Sequence, residues 1–446
     1  MLGIFSLVFS IVILIFFSFK GISILILAPL LSMGLAYFTG DLPALYALTG
    51  PFMKVTASYI GAYFPIFLGG AIFGKIMGDS GAAKSISHFI SKKLGKNRAI
   101  LAVVLATSLL TYGGVSLFVV VFAVYPLAVA LFQEANIPKK LMPAAIALGA
   151  FTFTMTALPG SPQYLNSMPT NYLSTNIYAA PILGTIAALI ILVCGVLWLE
   201  FSSKKAKAKG EGYGNYDDKV QDFDSTSIPH PFISTLPIIV IFIVNWLVIN
   251  ILFKSESFID KFKQYGGLDG NWPVTIALML AIILSLILFK KQIKSPLSLL
   301  ERGAESSLSP IFNTAVIVGF GGVVKATLAF ELIKEEVLAL NIPGLYKVAI
   351  STSLMAGSSG GTGIALEALA KPFLEMGLNP EVIHRTMLIA AGGLDSLPHC
   401  GAVITLLAVC GITHKDGYKD IGILTVLIPI AALLFIIVLH NITGLV

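Results

Sequence analysis

Apolar runs succeed one another along almost the whole of this chain, near residues 2–19, 21–39, 55–75, 99–111, 116–132, 141–158, 178–200, 231–253, 272–289, 309–330, 346–357, 362–375, 383–397 and 420–440. A helix needs roughly 20 such residues to cross a hydrocarbon core about 30 Å thick. Many of these runs reach or approach that length, so the sequence predicts an all-α polytopic membrane protein. The charge content agrees: only 12% of the 446 residues are charged, against about 25% in soluble domains. Two runs, 99–111 and 346–357, fall well short of a crossing. Each leads into a glycine pair flanked by hydroxyls, TYGGVSLF at 111–118 and SSGGTGIA at 358–365. A helix that enters, turns at the glycines and leaves on the same side fits this pattern. Such a re-entrant hairpin is tolerated where its backbone faces protein or a wet cavity.

Lysine and arginine set the orientation. With the amino terminus outside and both hairpins re-entrant, 20 of these residues fall in inside loops and 8 outside, Arg385 among the latter, while Lys325 lies within a helix. That positive-inside bias predicts a multi-pass protein of the inner (plasma) membrane with both termini extracytoplasmic. The basic residues lie beside spans, so the net charge of +6 reflects topology in a lipid bilayer and does not indicate a nucleic-acid partner. The first 18 residues carry no basic leader and no small-residue cleavage site, and Lys20 follows them, so a retained first helix is expected. Cys194, Cys400 and Cys410 are scattered with no CxxC pair; neither a metal cage nor a disulfide framework is expected.

The second half replays the first. After the first hairpin come EANIP at 134–138 and a run ending in TALPGSPQ at 156–163; after the second come GLNP at 377–380 and a run ending in DSLPHCGA at 395–402. The expected fold has about ten transmembrane helices plus two re-entrant helical hairpins, in two inverted repeats with two broken helices. The first repeat is 1–200: scaffold helices 1–54, span 55–75, hairpin 99–132, broken helix 141–175 and span 178–200. A hydrophilic cytoplasmic linker covers 201–228. The second repeat is 229–446: scaffold helices 229–290, span 309–330, hairpin 346–375, broken helix 383–411 and span 420–440.

Paired interruptions in two inverted halves point to a transport site at the midplane. Pro159 and Pro398 break the helical bonding far inside apolar runs, leaving backbone groups that a ligand or ion can partner. Helix amino-terminal ends suit a carboxylate, and freed carbonyls and hydroxyls suit a small cation. The candidate substrate-binding residues are Thr111, Gly113, Gly114, Ser116, Gly160, Ser161, Gln163 and Asn166 in the first half, with Ser358, Ser359, Gly360, Gly361, Thr362 and Ser396 in the second. No arginine lies at any break along the chain, so dipoles and hydroxyls, not a guanidinium clamp, are expected to hold a small organic anion. The competing structural reading is that glycines permit close helix packing and that single serines back-bond to their own helix. Four interruptions in two matching pairs favour the site.

Asp395 and His399, four apart across the second break, are the candidate ion-coupling pair. Ionisable groups inside a membrane protein are functional candidates by default, and histidine titrates near neutral pH. Capping a half-helix and bonding a freed carbonyl is the alternative role for the two. Glu367 either lines the returning arm of the second hairpin or pairs with Lys371 at i+4. GGAIFGKI at 69–76 imitates a phosphate loop, but it lacks the closing hydroxyl and lies within a span. No nucleophile, base and metal set converges, so no enzyme and no cofactor are expected.

GKIMGDSGAAKSIS, then ANIP, then TALPGSPQYLNSMP resemble the gluconate permease (GntP) family of proton symporters, including its hydroxybutyrate-type permeases, over most of the chain. The resemblance implies uptake of small hydroxy-carboxylates driven by protons. The wider ion-transporter superfamily implies homodimers, with a fixed scaffold and a moving, elevator-like transport domain that contains the hairpins and broken helices. Its site residues map to Thr111–Ser116, Pro159–Gln163, Ser358–Thr362 and Asp395–His399. The breaks LPGSPQ and DSLPHC depart from those of sugar-acid permeases and look more like the branch for shorter acids such as 3-hydroxybutyrate. Sodium in place of the proton, and a passive channel or exporter on the same hairpins, remain the alternative expectations.

Overall fold

The computed structural model describes residues 2–20, 22–95, 98–115, 117–216, 218, 228–265, 267, 269–355, 361–394, 396–398 and 400–446. Among these every regular element is helical. The first half begins with α1 (Leu2–Phe19) and α2 (Ile24–Thr39). Ser23 caps α2 by accepting from the Leu25 N–H, and left-handed Gly40 closes it. The next helix, α3, runs from Ala44 to Asp79, longer at both ends than the expected span. It widens into a π turn at Leu48–Phe52, because Pro51 has no N–H for the regular ladder. Then come α4 (Ala82–Leu94), α5 (Ala99–Tyr112), α6 (Leu117–Glu134), α7 (Met142–Ala150), α8 (Phe153–Thr156), α9 (Tyr164–Leu173) and α10 (Pro181–Ala208). The second half holds α11 (Pro231–Asn250), α12 (Glu256–Lys263), α13 (Trp272–Leu288), α14 (Pro296–Lys325), α15 (Leu328–Ala339), α16 (Gly344–Met355), α17 (Gly361–Glu375), α18 (Pro380–Leu394) and α19 (Gly401–Cys410), and ends in α20 (His414–Thr443).

Among the described residues five helices are long and apolar enough to cross a bilayer: α3, α10, α11 extended to Lys254, α14 and α20. Four shorter apolar helices, within α1, α2, α5 and α13, accompany them. Large apolar side chains stand exposed at helical spacing, as at Phe5, Phe9, Val12 and Phe16 on α1 and at Leu189, Val193 and Leu197 on α10. Such stripes suit a lipid or partner-facing surface. At the other extreme, all nine residues of the alanine-rich α7 are buried.

The packing has an internal correspondence. The contacting pairs α1–α2, α5–α7, α4–α11, α3–α13 and α6–α19 recur as α11–α13, α16–α18, α15–α1, α14–α2 and α17–α9, while α3–α14 and α10–α20 pack each on its own counterpart. α5, of 14 residues, and the described part of α16, of 12, are shorter than a crossing needs, about 21 Å and 18 Å at 1.5 Å per residue.

The segment following the first half is structured at its start. Lysine and alanine are good helix formers, and α10 continues through them to Ala208. The chain then folds back over the loop between α6 and α7. The Lys139 N–H donates to Tyr213 O (3.3 Å), and the Tyr213 N–H donates to Asn136 Oδ1 (2.9 Å). Lys140 pairs with Glu211, which holds that carboxyl below its usual range. Buried Lys139 reaches Asp218 at 2.7 Å, and the Tyr125 and Tyr213 hydroxyls donate to the same carboxylate. Burial alone would raise the Asp218 carboxyl; hydrogen bonds from Lys139, Tyr213 and Tyr125 outweigh it and hold it low.

Candidate functional site

Regular helix fails between α7 and α9, and Pro159 and Pro162 lie in the gap. Gly160 has φ +82, and a Cβ there would stand 2.6 Å from the Tyr178 ring, so only glycine fits this turn. The freed backbone groups do not wait for a ligand, as the sequence suggested. Tyr112 Oη donates to Pro159 O (2.7 Å), and the Asn166 amide donates to Ser161 O and Ile177 O (2.9 Å each). Gln163 Nε2 donates to Thr111 O (2.6 Å) and Val115 O (3.2 Å), tying the turn of the first hairpin to the break. Three wholly buried hydroxyls, Thr111 Oγ1, Ser161 Oγ and Ser167 Oγ, find no protein partner. An unpaired buried polar group is costly, so these three are among the buried groups left to receive a ligand or water.

The expectation that no guanidinium attends a break is wrong in space. Arg385, assigned from sequence to an outside loop, is fully buried in α18. It donates to Thr156 O (2.8 Å), to Asn166 Oδ1 (3.1 Å) and twice to Ala179 O (2.8 and 3.3 Å). The neighbouring His384 joins Thr175 through Nδ1 at 2.8 Å. The signal was available: two ionisable residues head the apolar run at 383–397, and such groups rarely sit idle in a membrane protein.

The second break lies between α18 and α19. Its carbonyls are also met by side chains, both from α20: Tyr418 Oη donates to Ser396 O (3.2 Å), and His414 Nε2 lies 3.0 Å from Pro398 O. Ser396 Oγ turns back to Gly392 O (3.3 Å). Asp395, His399, Ser116, Ser358, Ser359 and Gly360 lie outside the described residues. Gly361 and Thr362 open α17, Thr362 buried. Gly113 and Gly114 form the turn after α5, the latter at φ +87.

A cavity of roughly 230 Å³ lies where these parts meet. Gly114 of the first hairpin, Pro162 and Gln163 of the first break, and Ser396 and Cys400 of the second all line it. Helices α3, α13 and α14 supply the facing wall, and Phe67, Leu278 and Met155 keep much of the lining apolar. Among the residues lining it are four that sequence reasoning passed over, Ser306, Ser307, Asn313 and Thr314. The polar stretch ESSLSPIFNT within a membrane helix was their signal. Thr111, Ser161 and Asn166 are not among the residues that line it, and no described residue of the second hairpin reaches it. Glu367 pairs with Lys325 of α14 at 2.9 Å, while Lys371 turns to Glu375 at 3.8 Å. Among the described residues no cluster of three or more His, Cys, Asp or Glu is placed to hold a metal.

Comparison with known proteins adds an independent line. The sequence profile described as GntP family permease matches residues 2–442. A Bacillus subtilis (strain 168) protein described as the uncharacterized transporter YxjC is 41% identical, over 97% of this chain and 98% of its own. The high-affinity gluconate transporter of Escherichia coli (strain K12) is 23% identical, over 85% of this chain and 86% of its own. The fold is similar to the crystal structure of the Alcanivorax borkumensis YdaH transporter, with a TM-score of 0.58 and 13% identity over 90% of this chain and 88% of that one.

Proposed function

The chain belongs to the GntP permease family, a family of membrane transporters, and from that premise we propose that it is a secondary active symporter. Its cargo is a small organic carboxylate of the gluconate or 3-hydroxybutyrate kind, taken up with protons. The observation that carries this reading is the single cavity shared by the first hairpin and both helix breaks. A pocket with no charged group among its described lining residues, where hydroxyls and amides (Gln163, Ser306, Ser307, Asn313, Thr314, Ser396) are interleaved with apolar side chains, suits a short hydroxy acid. The gluconate transporter among the relatives supports the same substrate class.

In this reading the chain makes about ten crossings as two inverted repeats, with both termini extracytoplasmic in the inner membrane. The paired helix contacts support the repeat. The hairpins are re-entrant, because their first arms are too short to cross. The cavity lies against α3 and α14, a seam along which an elevator body can slide, and the exposed apolar stripes provide the surface for lipid and for a homodimer. Thr111, Ser161, Gln163, Asn166 and Ser396 are proposed to bind the acid directly or to fix the groups that do, and Asp395 with His399 to carry the coupling proton.

Proteoliposomes loaded at alkaline pH test the proposal. Labelled 3-hydroxybutyrate or gluconate should accumulate above its external concentration when the outside is made acidic, and a protonophore should abolish the accumulation. Uptake that stops at equilibration, with or without a gradient, identifies a passive pathway and removes the symporter. Full pH-driven uptake by the double variant D395N/H399Q removes the coupling role of that pair.

A further inference from the structure

Arg385 has no carboxylate among its four hydrogen bonds. Its acceptors are three neutral oxygens from three separate segments: Thr156 O at the edge of the first break, Asn166 Oδ1 from α9, and Ala179 O from the turn before α10. Inward-facing carbonyl oxygens at an unwound helix are what a membrane transporter offers to a dehydrated alkali cation. Here the oxygens are already occupied. The nearest acid along the helix, Glu381, instead accepts from the Ala180 N–H at 3.0 Å. Glu381 and Arg385 thus hold the two polar ends of one peptide group, that between Ala179 and Ala180, and Ala180 is kept in the left-handed region at φ +45. Room for the guanidinium comes from Gly184 on α10, where a Cβ would lie 3.0 Å from Arg385 Nε and 2.5 Å from Ala157 O.

We infer that Arg385 is a tethered cation: its guanidinium permanently fills the oxygen cage of the first break, where an exchangeable sodium ion would otherwise be bound, so this break takes up no coupling ion. The inference rests on the transporter reading and narrows it. The fixed charge does at the first break what an ion must be recruited to do elsewhere. It neutralises the convergent carbonyl dipoles through every stage of transport, and it leaves a positive charge in a low-dielectric region next to a site for an anion. The ion that drives uptake must then bind elsewhere.

The test uses the full-length purified protein and the variants Arg385→Ala and Arg385→Met. Arg385→Ala empties the cage and leaves a space; Arg385→Met refills it without charge. Thermal unfolding is followed in choline chloride with sodium or methylguanidinium titrated in. Wild type should be indifferent to both cations at this break. Arg385→Ala should unfold several degrees lower and recover saturably with one or both cations, as mass action requires of a vacated site. Arg385→Met should be destabilised and recover with neither. If Arg385→Ala is isolated intact only when methylguanidinium is present throughout, that is the same recovery. If it responds to no cation, or cannot be isolated with any, the cage is no cation site and the inference is overturned. It is also overturned if Arg385→Met matches wild type in both stability and uptake. The unfolding readout needs no substrate, so a wild type that accumulates no acid would remove the transporter reading and leave this result standing by itself.

Discussion

Replacing Gln163 by leucine tests whether the first hairpin and the first break act as one unit. Leucine keeps most of the bulk of a side chain that is only 8% exposed and removes both of its donors. Val115 O then loses its side-chain partner, while Thr111 O keeps the Gly114 N–H at 3.0 Å. A buried acceptor left unpaired costs about 1–3 kcal/mol, and a net hydrogen bond contributes about 1 kcal/mol, so the tie should weaken by about 2–4 kcal/mol. At 1.4 kcal/mol per tenfold, the population of the detached turn rises roughly 30- to 700-fold. Amide hydrogen exchange reads this directly. The N–H groups of Gly113, Gly114 and Val115, which donate to Leu109 O, Thr111 O and Leu110 O, should exchange faster by that factor, and amides in the middle of α10 should not change. Gln163→Glu, which keeps the shape and reverses the polarity of the contact, should do at least as much. Unchanged protection of the three amides in Q163L would show that the hairpin holds its position without the break, and the coupling argument would be wrong.

Asp218→Asn leaves the Lys139 ammonium buried without its charge partner, so a loss of about 3 kcal/mol is expected, read as earlier protease cleavage within 209–218. Because the folded Asp218 carboxyl is held below its ordinary value, its contribution is complete above the unfolded pKa of about 3.9. It disappears only as the pH falls through the depressed value, so wild type should stay protected at pH 5 while D218N is open there. Gly184→Ala drives a methyl group to 2.5 Å from Ala157 O; overpacking of this kind costs about 1–3 kcal/mol, and substrate affinity should fall along with the unfolding temperature. Tyr418→Phe removes the donor to Ser396 O and should cost about 1–3 kcal/mol, whereas the exposed pair Lys325–Glu367 should tolerate K325M with a loss of no more than about 1 kcal/mol.

Much of the site was legible because its signals are local. Proline and glycine far inside an apolar run cannot continue a helix in any context, so interruptions near Pro159 and Pro398 follow from backbone chemistry alone. Short arms before glycine pairs likewise lead to the expectation of hairpins; the turn of the second, 356–360, lies outside the described residues. The partners of the freed groups were not legible. Arg385 meets carbonyls more than 200 residues earlier in the chain, His414 and Tyr418 reach the second break from a different helix, and Gln163 serves the hairpin turn. Each was read as a ligand group, a loop charge or nothing, because no spacing along the chain encodes which helix lies opposite.

By itself the sequence determined that the chain must be a helical membrane protein, where its helices must fail, and which backbone groups would be stranded by that failure. These properties depend on length, hydropathy and missing N–H donors, which act within a few residues. Only the tertiary structure decided how the stranded groups are satisfied: carbonyls by a buried guanidinium, amides and phenols, with three hydroxyls and a shared cavity left over. That outcome depends on which surfaces of distant helices pack together, and the energy that selects among packings is spread over contacts no single segment contains.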